Sequence, residues 1–142
     1  MAEGTATATD STGKRPSAGP VLLVEDDETL ASILARHLRT HGYTVESCMS
    51  AESALAALKD GLRPSIVVLD INLPDATGWS LPDSPELRDA GAPPVLIASA
   101  SGISSARLAK SHIAGYLPKP FPLETFMDVV GRLVRQGEET SL

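Results

Sequence analysis

Three short runs contain only apolar residues, and each stops abruptly at a polar or charged one. Val21 to Val24 (VLLV) ends at Glu25, Asp26 and Asp27; Ile66 to Leu69 (IVVL) ends at Asp70; Val95 to Ala98 (VLIA) ends at Ser99. A strand with one wet face alternates apolar and polar side chains, whereas a strand covered on both faces reads as a continuous apolar run. These runs therefore predict central strands of a sheet covered on both faces. Between them the apolar period changes to that of a helix: Leu30, Ile33, Leu34 and Leu38, then Ala51, Ala54, Leu55 and Leu58, and finally Leu123, Phe126, Met127, Val130, Leu133 and Val134. Asp27 and Ser50 suit N-cap positions, and Gly42 and Gly61 fall just past the expected helix ends. Pro122 suits the start of the last helix, with Arg132 and Arg135 toward its end. Weaker strands are expected near Tyr43 to Ser47 and at Gly115 to Leu117. Regular alternation of this kind predicts an α/β fold, a doubly wound parallel sheet of five strands with helices on both faces.

The chain has 142 residues, enough for one domain with a sizeable core, and 42% hydrophobic against 4% aromatic residues implies a core of Val, Leu, Ile and Ala. Residues 1–19 are rich in Thr, Ala, Ser and Gly without apolar periodicity and are expected to form a disordered tail. The domain is expected over 20–136, followed by a C-terminal tail at 137–142. A net charge of −6 with no basic stripe argues against direct binding of nucleic acid. No apolar run approaches a membrane span, and no charged segment leads into an apolar one at the N-terminus, so the expected location is the cytoplasm. Cys48 is the only cysteine and is expected to be a small buried residue. His37, His41 and His112 lack metal-ligand spacing and are expected at the surface.

In open α/β sheets the ligand site lies at the carboxyl ends of the strands, where this sequence places Glu25, Asp26, Asp70 and Ser99, with Lys119 after the fifth strand. Taken singly each has an ordinary reading. The acidic run Glu25 to Glu28 suits a helix start, Asp70 a turn before Leu73-Pro74, Ser99 a loop, Lys119 a surface, and Tyr116 a half-buried strand. Gathered at one edge, three carboxylates repel one another, and a divalent cation such as Mg²⁺, which takes oxygen ligands, relieves that repulsion. Phosphoryl transfer to a carboxylate requires a nucleophile, a metal and donors aimed at the phosphoryl oxygens. Asp70, Mg²⁺, the Lys119 ammonium, the Ser99 hydroxyl and the backbone N–H of Ala100 supply these parts.

In order and spacing, VLLVEDD, IVVLDINLP, VLIASA and GYLPKPF resemble the motifs of response-regulator receiver domains of bacterial two-component signalling. The resemblance spans residues 21 to about 136. It implies a flavodoxin-like, CheY-like fold with Asp70 as phosphoacceptor. It also implies a metal site shared by Asp70, in which Asp26 is the direct ligand, Glu25 binds through water and Asn72 binds through its backbone carbonyl. Ser99 and Tyr116 resemble the switch residues, and Lys119 the family lysine, joined to Pro120 by a cis peptide bond. The implied phosphodonor is a histidine kinase or histidine phosphotransfer protein. A downstream protein is the implied target, with a homodimer compatible, and the chain is expected to be no enzyme beyond its own phosphorylation and dephosphorylation.

Two segments depart from the family pattern. GWSLPDSPELRDAG contains Pro82 and Pro85, each disruptive inside a helix, so the third helix is expected to begin only at Ser84-Pro85 and to end by Gly91. The Ser- and Gly-rich stretch between Ser99 and Tyr116 is expected to hold a short or frayed fourth helix. Because the chain ends soon after its last helix, no DNA-binding or enzymatic output domain is expected. The alternative functional reading is a degenerate receiver acting as a phosphorylation-independent interaction module. A phosphohydrolase would favour a second acid where Asn72 stands, and would need more chain for a substrate-selecting cap.

Overall fold

The computed structural model describes residues 19–75, 78–110 and 113–140. Its strands are β1 (Val21–Val24), β2 (Val45–Cys48), β3 (Ile66–Leu69), β4 (Val95–Ser99) and β5 (Gly115–Pro118). They form one parallel sheet in the order β2-β1-β3-β4-β5. The helices are α1 (Glu28–Thr40), α2 (Ala51–Lys59), α3 (Pro85–Asp89), α4 (Ser105–Lys110) and α5 (Leu123–Thr140).

Every residue of β1, β3 and β4 is buried, because successive side chains enter opposite cores. On one face Val21, Leu23, Ile66 and Val68 pack with Leu34 and Leu38 of α1 and with Phe126, Val130 and Leu133 of α5. On the other face Leu22, Val24, Val67 and Leu69 pack with Ala54 and Leu58 of α2, Leu81 and Leu87. The two layers hold the sheet's carboxyl edge in place from both sides.

The expected N-caps are formed. The Asp27 side chain accepts from Leu30 N–H at 3.1 Å, and Ser50 Oγ accepts from Ser53 N–H at 3.1 Å. The third and fourth helices are short, as the two prolines and the Ser/Gly-rich stretch imply. A single 3-10 turn at Gly78–Ser80 precedes α3, and Ser84 caps α3 by accepting from Leu87 N–H at 3.1 Å while donating to the Leu81 carbonyl at 2.8 Å. None of the side chains of α4 is buried.

Two boundaries differ from the sequence reading. The second strand begins at Val45 rather than Tyr43, because the N–H of Tyr43 is still bonded to the Leu38 carbonyl, closing α1 through Gly42 at φ 94°. The last helix continues to Thr140, past residue 136 where the sequence reading ended the domain. The added turn lies beside Pro94, whose Cδ would be 3.4 Å from a Cβ at Gly137, an ordinary contact. Just before β1 the Ser65 hydroxyl donates to the Gly19 carbonyl at 2.7 Å. The tail expected over the preceding residues, and His112, lie outside the described residues. Among the described residues, no helix is long and apolar enough to cross a membrane.

Candidate functional site at the carboxyl edge of the sheet

The pairing of Val24 with Leu69 sets the ends of β1 and β3 side by side, so Glu25 and Asp70 leave the sheet as neighbours. One carboxylate oxygen from each of Glu25, Asp26 and Asp70 lies within 4.8 Å of the others. Glu25 is 2% exposed and Asp70 7%, whereas Asp26 faces solvent. Lys119, which follows β5, reaches over both buried acids. Its Nζ is 2.8 Å from Glu25 Oε1 and 3.1 Å from Asp70 Oδ2. Backbone donors take the remaining oxygens: Asn72 N–H donates to Asp70 Oδ1 at 3.0 Å, and Asp27 N–H to Glu25 Oε2 at 3.2 Å.

Burial pushes the Glu25 carboxyl above its ordinary range and Asp70 adds to the effect, although Lys119 and the Asp27 N–H pull the other way. Burial alone would lower the Lys119 pKa. The hydrogen bonds and charges of Glu25 and Asp70 together outweigh that effect and raise it, so the lysine remains a cation. The site thus contains two desolvated carboxylates, one exposed carboxylate and one fixed ammonium.

Ser99 closes the other side of the site. It is wholly buried, and its Oγ accepts from Asn72 Nδ2 at 3.3 Å and from Ser101 N–H at 3.2 Å. Asn72 Nδ2 also donates to Ser101 Oγ at 2.7 Å. The half-buried Tyr116 donates its hydroxyl to the Ser101 carbonyl at 3.0 Å, tying β5 to the loop after β4. Ala100 is exposed between Ser99 and Ser101, and the Lys119–Pro120 peptide bond is cis. The structure therefore brings Glu25, Asp26, Asp70 and Lys119 into one cluster, with Asn72 connecting Asp70 to the Ser99 and Tyr116 side.

Sequence reasoning missed three contacts. It gave Asn72 only a carbonyl role, yet the side chain bridges two loops. Asp75 caps α2 from a distant part of the chain, accepting from Ala51 N–H at 3.2 Å and Glu52 N–H at 2.9 Å. Arg107 of α4 lies over the Trp79 ring, 4.4 Å from its centroid. None leaves a local sequence signal, because each partner comes from another element.

The chain belongs to the response regulator receiver domain family, whose model matches residues 21–131. It is 30% identical over 124 residues to the probable transcriptional regulatory protein TcrX of Mycobacterium tuberculosis, a match covering 86% of this chain and 52% of that protein. It is 34% identical over 119 residues to the response regulator MprA of Mycobacterium ulcerans, covering 82% of this chain and 50% of that one. The chain thus spans about half the length of the curated relatives it matches. In fold it is similar to a CheY-like response regulator receiver domain protein from Methanospirillum hungatei. The TM-score is 0.79 at 20% identity, covering 87% of this chain and 99% of that one. Five parallel strands and five helices are the receiver architecture, so the chain is a receiver domain of the kind used in two-component signalling.

Proposed function

We propose that this receiver accepts a phosphoryl group on Asp70, from a phosphohistidine of a histidine kinase or phosphotransfer protein, with Mg²⁺ bound at the acidic cluster. The observation that carries the proposal is the convergence of Glu25, Asp26, Asp70 and Lys119 at the carboxyl edge of the sheet. The donor set fits the ion: three carboxylates offer hard oxygens close together, one of them on the solvent side. Glu25, Asp26, Asp70 and the Asn72 carbonyl would hold it, and when bound Mg²⁺ supplies positive charge against the phosphoryl oxygens.

An Asp70 carboxylate oxygen attacks phosphorus, the P–N bond to the donor imidazole breaks, and the imidazole nitrogen takes up a proton. The Lys119 ammonium, already 3.1 Å from Asp70 Oδ2, is within reach of an oxygen of the group transferred there. The Ser99 hydroxyl and the Ala100 N–H border the same space as further donors. Reversal of the signal is attack of water on phosphorus, releasing inorganic phosphate and restoring the Asp70 carboxylate. No separate substrate is turned over. The phosphorylated domain acts on a downstream protein in the cytoplasm, and the chain's net charge of −6 disfavours direct contact with nucleic acid.

Intact mass after incubation with Mg²⁺ and acetyl phosphate tests the reading. The parent should gain one phosphoryl mass, and Asp70→Asn none. Undiminished labelling of Asp70→Asn would refute the assignment, and no labelling of the parent would favour a phosphorylation-independent interaction module.

A further inference from the structure

The face formed by α1 and α5, on the side of the sheet away from α2, carries a groove of about 860 Å³ whose lining includes Tyr43, Met127 and Gly131. Gly131 lies in the interior of α5, where glycine weakens a helix relative to almost any other residue. The monomer does not require it. A Cβ there would meet only the Arg135 guanidinium at 3.4 Å and the Tyr43 hydroxyl at 3.7 Å, both ordinary contacts. The missing side chain instead leaves a notch on the surface of α5, opening into the groove.

Charge along the same stripe changes sign just before this notch, about residues 129–130. Glu124 and Asp128 lie on its N-terminal side and Arg132 and Arg135 on its C-terminal side, all four exposed and lining the groove. The helix dipole favours acids first and bases last within one helix, but it explains neither the glycine nor the groove. A second α5 laid antiparallel across the first explains all three. Such an arrangement sets Asp128 against Arg132 of the other copy and Glu124 against its Arg135, and seats the half-buried Met127 of each copy at the Gly131 notch of the other. Small residues at a helix crossing allow the backbones to approach closely, and an isologous interface needs this kind of self-complementarity. Other exposed apolar side chains, Ile33 and Met49, lie outside the groove and show no matching partner pattern.

We propose that a second copy of this chain docks in the α1–α5 groove, the two α5 helices crossing antiparallel near residues 129–130 so that Met127 of each copy lies over Gly131 of the other. The dimer does not depend on the chemistry at Asp70, which lies at the carboxyl edge of the sheet.

Sedimentation velocity on the full 142-residue chain, from low micromolar to several hundred micromolar at physiological salt, tests this directly. The parent should shift from monomer to dimer with concentration. Gly131→Gln fills the notch and removes a helix-weakening residue, so it should fold at least as well yet dimerise about tenfold more weakly or worse, as expected where tight packing is lost at an interface centre. Asp128→Arg and Arg132→Asp should each weaken the dimer, and the double variant, which restores opposite charges across the two-fold axis, should recover most of the parent's affinity. A parent that remains monomeric throughout overturns the proposal and leaves the groove to a different partner. A dimer equally strong in Gly131→Gln and in both single charge reversals overturns it too, because the contact then lies on another face.

Discussion

Lys119 connects the two buried acids of the site, and its removal would expose how the site is balanced. Glu25 is 2% exposed and draws a charged hydrogen bond from Lys119, so Lys119→Met leaves a desolvated carboxylate with only the Asp27 N–H. Removing one partner of a buried ion pair typically costs about 3–5 kcal/mol, less where the remaining carboxyl can take up a proton. Thermal unfolding in EDTA should show Lys119→Met clearly less stable than the parent, and added Mg²⁺ should recover more stability in the variant than in the parent. Asp26→Ala should lose most of the parent's thermal response to Mg²⁺, since a ligand that binds only the folded state stabilises by mass action. Cys48 gives a separate test at this scale. Burial holds its thiol above the ordinary value of 9.0, with Glu46 adding to the shift and Ser53 opposing it. The folded state therefore binds the thiol proton more tightly than the unfolded chain does. That contribution to stability is complete below pH 9.0 and is lost as pH rises through the higher folded-state value. Denaturation midpoints should fall more steeply above this range for the parent than for Cys48→Ala, and iodoacetamide should modify Cys48 at the rate of global unfolding at neutral pH. The site residues were legible because Glu25, Asp70 and Lys119 each follow directly on a strand, with Asp26 one residue after Glu25. The Asn72 side-chain bridge was not, because Ser99 and Ser101 reach it only through tertiary folding.

Among the elements, α3 shows local chemistry overriding a family-length helix. Pro82 and Pro85 remove backbone donors where a longer helix would need them, and the chain crosses the gap through a 3-10 turn before restarting at Ser84. Ser84 is buried and serves both as cap for Leu87 N–H and as donor to the Leu81 carbonyl, so a short helix rests on one hydroxyl. Ser84→Ala should cost about 1–2 kcal/mol in urea unfolding. Labelling of Asp70 by acetyl phosphate should persist in that variant, because the cap lies outside the acidic cluster. This element could be read in advance because Ser-Pro-Glu is a local capping signal. The start of β2 could not, since Tyr43 looks like a strand residue until its N–H is seen bonded to Leu38. The end of α5 was less legible: Arg132 and Arg135 suit the last turn of a helix, yet α5 runs on to Thr140.

At the scale of the whole molecule, the path from the site to α4 runs through Ser99, Ser101 and Tyr116. The buried Ser99 hydroxyl is held by Asn72 and by the Ser101 N–H, and the Ser101 carbonyl accepts from Tyr116. Beyond Ser101 lies α4, which buries no side chain; besides nearby Ile103 and Ile113 at the core margin, it is linked to the segment before α3 by the stack of Arg107 on Trp79. An element so lightly packed moves at low cost, and under the proposed phosphorylation a change at Ser99 is the expected trigger. Phosphorylation shifts such an equilibrium only if the phosphoryl group binds one arrangement better than the other. The Ser99 hydroxyl, turned from its present partners to a phosphoryl oxygen, would supply that difference and free Ser101 and Tyr116 to move. Trp79 is the only tryptophan in the chain, so its fluorescence reports on the Arg107 contact without added labels. In the parent, acetyl phosphate with Mg²⁺ should change Trp79 emission and shift NMR resonances at Tyr116 and along 101–110. Ser99→Ala should still gain one phosphoryl mass on Asp70, yet show a much smaller change in both signals. Equal responses in parent and variant would place the coupling elsewhere. A phosphorylated parent unchanged beyond the neighbours of Asp70 would separate the chemistry of this site from any switching of α4.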